Sequence, residues 1–290
     1  MPQSYSEKIY DMWADKIRSM YMLKGGIIFS VYNQSQAKIC ERVGAKAIIS
    51  VGGGYIADTN GEASKNVRMA DPGITKDILD SVVLPVFGRV RVGHSMEAKI
   101  THHLGANGVH EFDMMMTAAD EPEHIPKKNF KVPFICGASD LGEALRRISE
   151  GASLIHTKSG DAESSPNFAT TTIQLQTINE QIKNAVRMVK NKDSLRAFAE
   201  EIEAPYAYLE QLSRRGKLPV PLFGYGGVES PTDAAYLMSQ NCDGIILDAS
   251  FMTGLDIERR ALSMVIATEN PTNYEVLAQV SENLDVPPID

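Results

Sequence analysis

The sequence predicts an α/β fold, a (β/α)8 TIM barrel with an extra helical insertion after strand 6. Three observations predict it. Eight short runs rich in Val, Ile and Phe recur along the chain, and continuous apolar runs of that kind suit strands buried on both faces, hence a parallel sheet. Helix-period patterns lie between them. Eight β/α units in about 250 residues match the usual size of such a barrel, whose active site lies at the C-terminal ends of the strands. A doubly wound open sheet is the alternative on pattern alone.

Residues 1–24 read as an N-terminal helical extension; the start, MPQSYSEKIYDMWADK, mixes charges and lacks the long apolar stretch of a secretory signal. The first strand spans 26–31 and is followed by a helix over 35–43; the second spans 45–51. Asp71-Pro72 opens a helix running to about 82, with the acid near the N-cap and Pro in the first turn. Strand three covers 84–92, with a helix over 95–104; strand four covers 108–113; strand five covers 132–137, with a helix over 141–150. Strand six covers 153–157. A helical stretch over 171–211, interrupted near Asn191-Lys192-Asp193 and at Pro205, reads as one crossover helix with an inserted partner. Strand seven covers 220–224, with a helix over 231–240, and strand eight covers 244–247. Helices over 257–268 and 274–283 follow, the second within a C-terminal helix and tail, 270–290. No repeat, low-complexity tract or Pro/Ser-rich linker marks a second unit, so 1–290 is expected to be a single barrel domain. The segments 52–66 and 159–169, rich in Gly, Ser, Asn and acids, each follow a strand and are candidate loops at the functional face.

Composition narrows the function. The 290 residues carry 29 basic and 37 acidic side chains, a net charge of −8. That balance argues against a nucleic-acid binder, which needs a basic face to replace phosphate counterions. No run approaches the ~18 apolar residues that span a bilayer. Cys40, Cys136 and Cys242 are odd in number and dispersed, which argues against a disulfide framework or a CxxC site and for a reducing, cytoplasmic compartment. There is no HExxH, and His102, His103 and His110 span a helix end and a strand, so neither a metal site nor a cofactor is expected.

Several segments together resemble the ring-building subunit of glutamine-dependent pyridoxal 5′-phosphate (vitamin B6) synthase. They are Lys24-Gly25-Gly26-Ile27-Ile28, Gln36-Ala37-Lys38-Ile39, Arg68-Met69-Ala70-Asp71-Pro72, Arg91-Val92-Gly93-His94, Pro133-Phe134-Ile135-Cys136-Gly137, the run LGEALRRISEGAS from Leu141 to Ser153, and Gly226-Gly227-Val228 followed by Pro231. The long LGEALRRISEGAS run is the specific signal. The resemblance implies a TIM barrel assembled as two stacked six-membered rings. It also implies a reaction that combines ribose 5-phosphate, glyceraldehyde 3-phosphate and ammonia from a glutaminase subunit.

The resemblance places two imine-forming lysines, because an imine is a better electron sink than a ketone. The later one falls on Lys158. The earlier falls on Arg89, in Phe87-Gly88-Arg89-Val90-Arg91, and a guanidinium is not a usable imine nucleophile. The first-strand aspartate falls on Ser30, which supplies no carboxylate, and the fourth-strand aspartate on Glu111. Arg89 and Glu111, ending neighbouring strands, are expected to form a bidentate pair filling a disused site. Of the phosphate-binding turns, Gly226-Gly227 is kept; the loop holding Asp161, Ala162 and Glu163 and the turn Asp248-Ala249-Ser250 add carboxylates where a dianion would sit. His156 stands in place of an arginine. His124, Arg146 and Arg147 match a basic inter-subunit anion site whose lysine has become Glu200. Met114-Met115-Met116 reads as rim packing.

These substitutions gather at strand ends while packing segments are intact. The expectation is therefore a non-catalytic or impaired synthase-like protein, a pseudoenzyme acting as an oligomeric scaffold or as the regulatory partner of an active paralogue, with a glutaminase subunit as a further partner. The alternatives are an active pyridoxal 5′-phosphate synthase subunit condensing ribose 5-phosphate, glyceraldehyde 3-phosphate and ammonia, a variant carbonyl-condensing lyase using Lys158, and a binding module for an anion or a glutaminase-like protein.

Overall fold

A computed structural model of the chain describes residues 5–52, 68–113, 123–158, 167–282 and 284. Eight parallel strands close into a barrel in sequence order, β1 to β8, with β8 pairing back onto β1. They are β1 Ile27–Val31, β2 Ala47–Ser50, β3 Val86–Arg91, β4 Gly108–Phe112, β5 Phe134–Ala138, β6 Leu154–Thr157, β7 Leu222–Tyr225 and β8 Gly244–Leu247. The open-sheet alternative is thereby excluded. Nearly every strand residue is buried, which is why the strands read as unbroken apolar runs.

Side-chain alternation along each strand sorts that apolar surface into two layers. Ile28, Ile49, Phe87, Phe112, Ile135, Leu154, Phe223, Tyr225 and Ile246 fill the barrel. Ile27, Phe29, Ile48, Val90, Val109, Phe134, Cys136, Ile155 and Ile245 point out and pack beneath the helices. The helix α1, Tyr5–Tyr21, and the turn after it bring Met20 and Leu23 into the inner layer. Lys24 pairs with Asp243 at 2.5 Å.

Helix ends follow local capping chemistry. Asp71 caps α3 (Pro72–Ser81) by accepting from Gly73 N–H, with Pro at the first position as the sequence suggests. Asp140 caps α5 (Leu141–Glu150), and Gly151 ends it in the left-handed region. Ser230 and Asp233 form a reciprocal capping box on α9, Pro231–Ser239. The remaining helices of the circuit are α2 Gln34–Val43, α4 Ser95–His103, α10 Ile257–Glu269 and α11 Tyr274–Ser281.

The insertion after strand six is richer than a crossover helix with one partner. It holds three helices, α6 Phe168–Arg187, α7 Lys192–Glu201 and α8 Tyr206–Arg215. The Asn191 cap and the Pro205 break each start a new helix, because a side-chain cap and a missing N–H both favour a helix start over a kink. Cys40, Cys136 and Cys242 are free and buried. Among the described residues no helix is long and apolar enough to cross a membrane, and no group of three His, Cys, Asp or Glu converges as metal ligands.

Gly142, in the LGEALRR run, shows why this segment tolerates little change. A Cβ there would lie 1.7 Å from the Ile202 carbonyl oxygen, so α5 and the end of α7 approach only because position 142 has no side chain. Gly142→Ala is expected to destabilise the fold by about 1–3 kcal/mol, as overpacking does. A lower denaturant midpoint with an unchanged m-value checks this.

Candidate functional site

The C-terminal ends of the strands form the barrel mouth, and its centre is Arg89. On β3 this side chain points inward and is nearly sealed, at 7% exposure. Its Nη2 donates to Ser30 Oγ at 2.9 Å and to Tyr225 Oη at 3.3 Å, and its Nη1 lies 3.3 Å from Asp248 Oδ2. The guanidinium sits 4.1 Å from the centre of the Phe112 ring, a cation–π contact that offsets part of its lost hydration. Burial works against the charge, but Tyr225 and Asp248 outweigh it and hold the Arg89 pKa above its ordinary value.

Asp248 is the counter-charge. It accepts the Tyr225 hydroxyl at 2.5 Å through Oδ2 and Ser250 N–H at 3.2 Å through Oδ1. Burial alone would raise its carboxyl; Arg89, Tyr225 and Ser250 together hold it below the usual aspartate range. Ala249 beside it is buried. Gly226 and Gly227 turn the chain after β7 with positive φ. Thr171 on α6 donates to the Tyr225 and Gly226 carbonyls at 2.8 and 2.9 Å, fixing that turn. Ala162, Asp161, Glu163 and Met114 to Met116 lie outside the described residues.

Glu111 is not in this site. Arg89 pairs in register with His110, so Glu111, one residue on, faces the opposite side of the sheet. The expected Arg89–Glu111 pair is therefore not formed. Glu111 Oε2 instead meets Lys127 Nζ at 2.8 Å, and Oε1 accepts the backbone N–H of Ile125 and Gly93. Lys127, fully buried, also reaches Glu150 at 2.9 Å. Burial pulls its pKa down, but Cys136, Glu111 and Glu150 reverse that and raise it.

The basic trio His124, Arg146 and Arg147 is drawn into internal contacts. His124 Nδ1 stands 3.2 Å from Glu111 Oε2, close in distance but without hydrogen-bond alignment. Arg147 Nη2 pairs with Glu150 at 3.0 Å, and its Nε and Nη1 are buried without partners. Arg146 turns away to the end of α7, donating to the Glu203 and Ile202 carbonyls at 2.8 and 3.4 Å. Glu200 lines a separate surface cleft of about 380 Å³ with Arg196, Glu203 and Tyr206, which no barrel-mouth residue joins.

His110 and His156 meet inside the barrel, Nε2 to Nε2, at 2.9 Å. His156 Nδ1 lies 2.6 Å from the Thr157 carbonyl, and a carbonyl only accepts, so Nδ1 carries the hydrogen. His156 Nε2 is then the acceptor and His110 Nε2 the donor, leaving His110 Nδ1 buried and unpartnered. Burial holds both rings neutral; His156 and Arg89 deepen the effect on His110.

Lys158, just past β6, pairs with Glu143 Oε1 at 2.5 Å. Glu143, on the first turn of α5, also accepts Ser139 N–H and Oγ–H, both at 2.9 Å. Burial pushes its carboxyl up; Lys158 and Ser139 prevail and lower it. Sequence reasoning singled out Lys158, Arg89, Ser30 and Asp248 but passed over Tyr225, Phe112 and Glu143 and treated His110 only as a metal candidate. Strand parity was the available signal: His110 shares its face with Phe112, and Tyr225 with Phe223.

Residues 14–225 match the family described as the SOR/SNZ family. The chain is 39% identical over 267 residues to a pyridoxal 5′-phosphate synthase subunit of Emericella nidulans, covering 91% of this chain and 86% of that protein. It is 41% identical to the corresponding subunits of Natranaerobius thermophilus and Saccharomyces cerevisiae, again over 91% of this chain and 87% and 86% of theirs. A solved thiamine phosphate pyrophosphorylase from Pyrococcus furiosus shares the fold, with a TM-score of 0.51 and 13% identity, over 88% of this chain and 99% of that one.

Removing the guanidinium should expose how the mouth is balanced. Asp248 has a folded pKa below its unfolded one, so its contribution is present above about pH 4 and lost as pH falls through the folded value. Arg89→Met is expected to cost about 2–3 kcal/mol at neutral pH, on the low side for a buried pair because Asp248 keeps 28% exposure. The deficit should shrink below about pH 4. Denaturant titrations of both proteins at neutral and acidic pH check this.

Proposed function

The chain belongs to the SOR/SNZ family, and from that premise we propose that it is a pyridoxal 5′-phosphate synthase-like subunit with its ring-building chemistry disabled. Its role in vitamin B6 biosynthesis is then that of an oligomeric scaffold or a regulator of an active paralogue. The observation that carries this reading is the state of Arg89. By resemblance it occupies the position of the first imine-forming lysine, and it is committed to Ser30, Tyr225, Asp248 and the face of Phe112.

Two further features support it. An arginine offers no free amine to a sugar carbonyl at any working pH. Asp248 brings a carboxylate to the turn where the resemblance expects a substrate phosphate, and its charge is already spent on Arg89. A ribose phosphate entering here would have to break that pair and bring two negative charges into a space holding one cation.

One observation favours a second reading, an active condensing enzyme. Lys158 is retained at the mouth with a fixed counter-ion, Glu143, so one of the two amines that the resemblance implies survives. The readings part on product formation.

With ribose 5-phosphate, glyceraldehyde 3-phosphate and ammonium, the protein is expected to form no pyridoxal 5′-phosphate, measured by its absorbance against an active relative run in parallel. Arg89→Lys alone should not restore turnover, because Ser30 and Asp248 stay as they are. Turnover by the unmodified chain would overturn the proposal. On the assembly side, light scattering is expected to give the mass of a twelve-subunit assembly, the number that two stacked six-membered rings hold. Differently tagged chains should co-purify with an active homologue; a stable monomer removes the scaffold role.

A further inference from the structure

Several buried polar atoms find no hydrogen-bond partner in the protein. Among them are both carboxylate oxygens of Asp113, the first residue past β4, in a space that Gly137 clears: a Cβ on position 137 would stand 2.1 Å from Oδ1. Arg89 Nε and His110 Nδ1 are two more. Such atoms are rare enough that each calls for a reason.

Arg89 Nε and His110 Nδ1 belong together. The two residues are Cα partners in the β3–β4 ladder, so their side chains leave the sheet side by side on its inner face. Both then pack on the same two rings. The guanidinium carbon lies 4.1 Å from the centre of Phe112 and 6.0 Å from that of Tyr225, and the His110 ring lies 5.2 and 6.4 Å from them. Their hydrogen-bonding senses are complementary. A guanidinium Nε always carries a hydrogen and only donates. His110 Nδ1 only accepts, because the Thr157 carbonyl fixes the His156 hydrogen on Nδ1 and so makes His110 Nε2 the donor of the 2.9 Å bond between the rings.

We infer that Arg89 Nε and His110 Nδ1 share one resident water molecule, which accepts from the first and donates to the second. The chemistry of the pair selects that ligand. An anion would meet the lone pair of His110 Nδ1, and a cation would meet the guanidinium charge. A neutral molecule that both accepts and donates suits both atoms. The water is internal, since both atoms are sealed from solvent. With it, hydrogen bonds run without a break from Asp248 at the end of β8, through Arg89, water, His110 and His156, to the Thr157 carbonyl on β6. Each histidine then has both ring nitrogens engaged in one fixed tautomer, so neither is free to exchange a proton with a molecule entering the mouth. Burial, His156 and Arg89 hold His110 neutral, which keeps its Nδ1 an acceptor.

This inference goes beyond the proposed function and does not depend on it. The test uses the full-length protein in two measurements. In a high-resolution crystal structure, one solvent oxygen is expected within about 3.2 Å of both Arg89 Nε and His110 Nδ1. In solution, nitrogen–proton correlation spectra of protein carrying isotope-labelled histidine should show His156 with its hydrogen on Nδ1 and His110 with its hydrogen on Nε2, both neutral near neutral pH. His110→Phe is expected to lose that oxygen, and one long-lived water from the water-oxygen relaxation dispersion, while His156 keeps its tautomer. A direct contact between Arg89 Nε and His110 Nδ1 with no solvent between them overturns the inference. So does an ion in that place, a hydrogen on His110 Nδ1, or an oxygen that stays in His110→Phe. Should His110→Phe fail to fold, the crystal structure and spectra of the native protein decide between the same outcomes.

Discussion

A guanidinium in the middle of a parallel barrel constrains everything around it. It cannot shed its charge, so each neighbour must accept a hydrogen bond, carry negative charge or offer an aromatic face. Ser30, Tyr225, Asp248 and Phe112, from β1, β7, the end of β8 and β4, meet those demands for Arg89. The same positive charge disfavours protonation of His110 and His156, which are held neutral in the same interior. The side chains at this mouth are therefore mutually dependent. An arginine at position 89 with an aspartate at position 30 and none at 248 would pose a different charge problem.

The mouth divides into two halves on that basis. Around β1, β3, β7 and β8, Ser30, Tyr225 and Asp248 engage both terminal nitrogens of Arg89, whose Nε is left buried without a partner. Around β4, β5, β6 and the start of α5, Lys158 has one fixed counter-ion and Asp113 has free oxygens. A polar group left unsatisfied in a packed interior is the kind of local cost that folds bear at functional sites. Arg146, Arg147, Lys127 and Glu150 are drawn into internal pairs, and Gly142 lets two helices meet at backbone distance.

Much of the fold was legible because it rests on local rules. Unbroken Val, Ile and Phe runs identified all eight strands, and Asp71, Asp140 and Ser230 start helices by chemistry that operates within three residues. The insertion was under-read because Asn191 and Pro205 are as compatible with interruptions in one helix as with the start of another. The site was legible only where a resemblance supplied positions. Facing was lost: Glu111 and His110 differ by one residue, and a period of two sends them to opposite faces. Tyr225 fell one residue beyond the strand drawn for it. Asp113 lay inside a drawn strand, and nothing in the linear order indicates that Gly137 clears space for its carboxyl.

The most direct measurement of the central claim, that Arg89 closes the first carbonyl position, is a crystal structure of the full chain grown with excess ribose 5-phosphate. The expected result is an intact contact between Arg89 and Asp248, with Tyr225 still bonded to Asp248 and no sugar beside β3. A ribose phosphate seated against β3, with Arg89 turned out of its contacts to Ser30, Tyr225 and Asp248, would contradict it.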